Sequence, residues 1–160
     1  QIEITDQYST DFEKALNVVA APQIFGFGFL GKRLDHSLAA LHVMAAYQNK
    51  RIILVDPHDV VVMPRGRFTC RLPADMRLSI WPMRAVRFVM SQGLVWPLDN
   101  LVMGEGHVLG TSNQVAASEI ASDAGVDDGV VDIVIEAEDD APYAVMMAAD
   151  AFPYVLDQAD

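Results

Sequence analysis

The sequence has one cysteine, Cys70, in 160 residues. An internal disulfide is excluded and a thiolate zinc cage has no ligands, so a reducing compartment, the cytoplasm, is the expected location. Long apolar runs are missing too. None approaches the roughly 18 residues that cross a bilayer, although 52% of the residues are hydrophobic, so the apolar content is expected to form a packed core and no membrane association is expected. The first residues do not carry the charged-then-apolar pattern of a secretory leader. Positive charge is scarce: 11 Lys and Arg stand against 22 Asp and Glu, a formal net charge of −11. Nucleic acid is therefore not an expected partner, because phosphate backbones are gripped by clustered Lys and Arg. Any anionic substrate has to meet locally placed cations. His36 and His42 are too far apart for the i, i+4 spacing of helical zinc ligands, His58 and His107 fall in expected turns, and no zinc site is expected. There is no internal repeat.

What is present changes rhythm along the chain. Ile2, Glu3, Ile4 and Thr5 alternate like the middle of a fold, so a segment upstream of Gln1 is expected. Thr10 and Glu13 have the T-x-x-E spacing of a capping box. Phe12, Ala15, Leu16 and Val19 then form one apolar stripe, which Pro22 ends. A strand over 24–29, a turn permitted by Gly28 and Gly31, a second helix carrying Leu34, Leu38, Leu41 and Ala45, and a strand over 51–56 follow. Strands alternating with helices of this length predict βαβ units with a parallel sheet. From Asp59 onward short strands alternate with turn residues: 60–63, 68–72, 77–81, 86–90, 101–103, 131–136 and 143–147, with turns at Arg65-Gly66 and Gly104-Glu105-Gly106. Residues 118–129 read as an exposed connection, and a helical period returns only in the last dozen residues. Seven strands in about a hundred residues predict a sandwich. The expected fold is α/β followed by all-β: a partial Rossmann-like parallel unit over 1–57 and a C-terminal β-sandwich over 58–160.

Four segments carry a family resemblance. Residues 6–16, D-Q-Y-S-T-D-F-E-K-A-L, look like a D-Q-[D/N]-x-T-D-F helix start. Residues 30–36, L-G-K-R-L-D-H, resemble a G-G-R-x-D-H turn. Residues 93–100, G-L-V-W-P-L-D-N, look like G-L-x-W-P-L-[D/N], and 110–114, G-T-S-N-Q, is similar to T-S-N-E. In this order and spacing they resemble the thiamine pyrophosphokinase family. The resemblance implies transfer of pyrophosphate from ATP to the thiamine hydroxyl, with Mg²⁺ as cofactor and AMP as by-product. It also implies a homodimer in which the β half of one subunit completes the site of the other. By motif, Asp11 and Asp35 are assigned to the metal and to catalysis, Gln7, Thr10, Lys32 and Arg33 to ATP and its phosphates, and Trp96, Ser112 and Asn113 to thiamine.

The residue types suit that chemistry. Phosphoryl-type transfer needs cations, carboxylates for Mg²⁺ and fixed donors, and helix starts after parallel strands are where such sheets collect ligands. A flat aromatic such as Trp96 is a platform for a cationic ring. Each residue also has a plainer reading: Thr10 and Asp11 as cap and dipole partner of a helix, Arg33 as partner of Asp35, Ser112 and Asn113 as a local turn, and His36 as packing beside its turn. Trp81 reads as sandwich core. Tyr8, Lys32 and Gln114 depart from the family pattern, and the family's upstream G-D-x-D-S segment does not occur here. The alternative is a non-catalytic thiamine-binding or structural homologue.

Overall fold

The computed structural model describes residues 7–117 and 129–156. The alternation at Ile2–Thr5, the first motif residue Asp6 and most of the connection at 118–129 lie outside them. The order of elements is α1 (Asp11–Val18), β1 (Gln23–Phe27), α2 (Leu34–Ala46), β2 (Arg51–Val55), β3 (Asp59–Val62), β4 (Arg67–Pro73), β5 (Arg77–Pro82), β6 (Val86–Gln92), β7 (Val102–Met103), β8 (Gly110–Gln114), β9 (Val130–Ala137), β10 (Tyr143–Ala148) and α3 (Phe152–Leu156). The protein is sheet-rich with a few helices.

Helix α1 begins where the sequence predicts. Thr10 Oγ1 accepts from the Glu13 N–H at 3.2 Å, and the Thr10 N–H donates to Glu13 Oε2 at 2.7 Å, so both sides of the capping box are made. Phe12 and Leu16 bury the apolar stripe. Strands β1 and β2 run parallel, from Gln23 opposite Arg51 to Phe27 opposite Val55, with α2 as the crossover between them. That unit does not stand alone. After a turn at 56–58, β2 pairs antiparallel with β3, placing Ile53 opposite Val62 and Val55 opposite Val60. The result is one six-stranded sheet in the order β1-β2-β3-β10-β5-β8, facing a second sheet in the order β4-β9-β6-β7. The boundary expected at 57/58 falls at a turn inside continuous strand pairing.

Two apolar clusters follow from the pleat. Ile53, Val60, Leu78, Ile80, Tyr143 and Val145 of the larger sheet meet Phe68, Leu72, Phe88, Ile133 and Ile135 of the smaller. On the other face of the larger sheet Ile52, Leu54, Val61 and Ala144 pack against Phe12, Leu16, Leu41 and Met44 of the helices. Trp81 differs from expectation. It alternates with Leu78 and Ile80, so it points away from the space between the sheets and lies half-buried against the helix-side cluster. Strand β8 is not expected from the sequence, since G-T-S-N-Q has the composition of a turn.

Candidate functional site

The C-terminal end of the parallel pair is where the chain leaves β1 and starts α2, and the start of α1 lies beside it. A cleft of about 450 Å³ opens there, lined by Thr10, Asp11, Phe12, Gly28, Phe29 and His36 among others. Two helix starts, where the first N–H groups have no backbone partner within the helix, thus border one cavity. Asp11 is fully exposed, with Lys14 Nζ 3.7 Å from its carboxylate. The hydroxyl of Thr10 spends its acceptor side on the cap, which leaves its O–H to donate. Gln7 is exposed at the start of the described chain.

The second motif sits at the start of α2. Arg33 is its N-cap residue, and its guanidinium forks onto Asp35, with Nε 3.1 Å from Oδ1 and Nη2 2.5 Å from Oδ2. The His36 N–H donates to Asp35 Oδ1 at 3.0 Å. The Arg33 hydrogen bond holds the Asp35 carboxyl below its usual range; the guanidinium charge and the His36 N–H act in the same sense. Both side chains are about two-thirds exposed, so the pair fixes geometry rather than adding much stability. Lys32 is exposed beside it.

One residue the motifs did not single out lies against this turn. Asp56, at the end of β2, accepts from the His58 and Asp59 N–H groups with Oδ1, both at 2.7 Å. Gly31 has a φ of +87°, and a Cβ there would stand 2.9 Å from Asp56 Oδ2. The sign in the sequence was D-P-H-D directly after a strand, an Asx-turn composition.

Trp96, Ser112 and Asn113 form a separate group. Residues 93–96 run beside 113–116: Val95 N–H donates to Gln114 O at 2.9 Å, and Leu94 bridges Val115. Asn113 is 4% exposed. Its Oδ1 accepts from the N–H groups of Trp96, at 3.2 Å, and Gln114, at 2.8 Å, and its Nδ2 donates to Trp96 O at 2.8 Å. The amide of Asn113 is therefore occupied in clipping the Trp96 loop to β8, while the Trp96 residue stays 57% exposed. Ser112 is exposed at a φ of +60°.

The two groups are not brought together within one chain. One lies at the β1 edge of the larger sheet, the other at the β8 edge. Five strand spacings separate those edges, roughly 24 Å at ~4.8 Å each. Among the described residues no three His, Cys, Asp or Glu side chains cluster as a metal site, and no helix is long and apolar enough to cross a membrane.

Fold and cleft define a class: a sheet-rich α/β protein in which two helix starts meet at the end of a parallel strand pair. The family described as "Thiamin pyrophosphokinase, catalytic domain" matches residues 1–55. Thiamine pyrophosphokinase 3 of Oryza sativa subsp. japonica is 29% identical over 128 residues, covering 71% of this chain and 48% of the relative. The crystal structure of thiamin pyrophosphokinase from Geobacillus thermodenitrificans superposes with a TM-score of 0.70 at 22% identity, over 91% of this chain and 64% of that one. That of Bacillus subtilis thiamine pyrophosphokinase gives 0.67 at 20%, over 91% and 65%. Together these matches support a thiamine pyrophosphokinase family protein. It spans about half the length of the curated relative it matches.

Proposed function

We propose that this chain takes part in transfer of a pyrophosphoryl group from ATP to thiamine. The observation that carries the reading is that the family match over residues 1–55 coincides with the cleft where α1 and α2 begin. The fold is read as a partial Rossmann-like nucleotide-binding domain over 1–57, with β1-α2-β2, followed by a thiamine-binding β-sandwich domain over 58–160, and the expected location is the cytoplasm. In the reaction the thiamine hydroxyl oxygen attacks the β-phosphorus of ATP. The new O–P bond forms, the bond from the β-phosphorus to the α-phosphate oxygen breaks, the hydroxyl proton is lost, and thiamine diphosphate and AMP result.

The residues divide the work as follows. Lys32 and Arg33 neutralise the polyphosphate, Gln7 and the Thr10 O–H donate to nucleotide or phosphate oxygens, and the N–H groups of the first turn of α2 add further donors. Trp96 supplies an exposed face for a thiamine ring, and the hydroxyl of Ser112 lines it. Asn113 shapes this edge through its clip. Mg²⁺ fits Asp11, whose carboxylate faces solvent at the rim of the cleft. Asp35 fits once phosphate takes over the Arg33 fork. One or two carboxylates suffice because Mg²⁺ retains waters and phosphate oxygens, and the ion would supply charge neutralisation at the polyphosphate.

Because the cleft beside Asp11 and the start of α2 lies at the opposite end of the larger sheet from the Trp96 edge, the proposal includes a homodimer in which each complete site draws on both chains. The test is AMP release from ATP and thiamine with Mg²⁺, measured on this chain, on an upstream-extended chain and on Asp35→Ala. Thiamine-dependent AMP formation that disappears in Asp35→Ala supports the kinase. An extended chain that folds and binds thiamine without turnover refutes it in favour of a binding protein.

A further inference from the structure

Strands β5 and β8 pair with Leu78 opposite Asn113 and Ile80 opposite Gly110, with a register shift between them. Ser79 alone therefore faces two residues, Thr111 and Ser112. This is a β-bulge, a device that re-aims side chains at the edge of a sheet. Ser112 takes the left-handed conformation at a φ of +60°, which costs any residue with a Cβ. Its N–H donates to Ser79 Oγ at 3.0 Å. The next residue, Asn113, makes the clip to Trp96.

Glycine would serve the backbone better at Ser112, since it takes positive φ without strain. A serine held there by a second serine suggests that the side chains of the bulge have a use, and strained backbone that its surroundings over-determine is typical of ligand sites. We propose that Ser79 is a positioning residue for the thiamine-binding edge, a role that rests on the thiamine reading above. Its hydroxyl replaces the acceptor that the bulge removes from the ladder. It thereby holds Thr111 and Ser112 in the shape that presents both hydroxyls to solvent next to the Trp96 clip.

The experiment uses a Trp81→Phe chain, in which Trp96 is the sole tryptophan reporter, and titrates thiamine by fluorescence quenching. Ser79→Ala in that background weakens thiamine binding by about fivefold, the change produced by one lost hydrogen bond of ordinary strength. Ser79→Thr, which keeps the hydroxyl, restores it. The melting temperature stays level across the three, while exchange of the Ser112 amide speeds up in Ser79→Ala only. Undiminished binding in Ser79→Ala overturns the inference, as does a loss that follows the melting temperature or that Ser79→Thr fails to rescue. Absence of quenching in the parent chain overturns the thiamine reading itself and this inference with it.

Discussion

At the scale of single residues, one polar side chain does structural work that its motif position does not announce. Asn113 makes three hydrogen bonds from a nearly closed site. Asn113→Ala leaves the Trp96 and Gln114 backbone groups without that partner, a loss of about 2–3 kcal/mol. Urea unfolding followed by fluorescence measures it, and the Trp96 emission shifts to the red in the native state as the loop loosens. The sequence showed T-S-N-Q as a motif and left Ser112 and Asn113 open between ligand and turn. It could not separate them, because a buried Asn clip and a ligand-binding Asn have the same composition nearby. The distinction appears only when residues 93–96 lie beside 113–116. Arg33 and Asp35, by contrast, were legible as partners because two residues of spacing at a helix start bring their heads together.

At the scale of elements, local signals were read well where local physics decides. The Thr10–Glu13 box fixed the start of α1, and the strands expected from period-two patterning formed within a residue or two of their expected ends. Thr10→Ala removes the side-chain half of the box and is expected to cost about 1 kcal/mol. That corresponds to a drop of roughly 2–4 °C in melting temperature for a domain of this size, read by calorimetry. What local patterning could not reach is how helix ends are satisfied from afar. Neither α1 nor α3 has a basic residue in its last turn. Lys50 Nζ donates to Val19 O at 2.8 Å, and Arg51 Nη2 donates to Val155 O at 2.9 Å. Two neighbouring cations at the start of β2 thus meet the negative ends of two helices that are remote in sequence. Strand β8 was missed for a related reason: its pairing with β5 is set by tertiary partners and overrides a turn-like composition.

At the scale of the whole molecule, the change of rhythm near residue 57 marked a change in strand direction. The sheet itself continues through it, because β3 adds to β2 instead of starting a separate layer. The opposite placement of the two candidate groups yields a mixing prediction. Asp35→Ala and Trp96→Ala chains, each inactive alone, regain thiamine-dependent AMP formation when unfolded and refolded together. A random pairing that restores one intact site per mixed dimer gives about a quarter of the parent activity. Complete absence of recovery, with mixed dimers present by native mass spectrometry, refutes a site shared between chains. The order β3-β10-β5 has a further consequence. The strand that joins the two halves of the larger sheet is the last of the described strands, pairing with β3 on one side and β5 on the other. Before residues 143–148 leave the ribosome, β3 and β5 have nothing between them, so their facing edges stay open to other chains. Completion of the sheet therefore waits on contacts between residues far apart in sequence, the kind of pairing that slows folding.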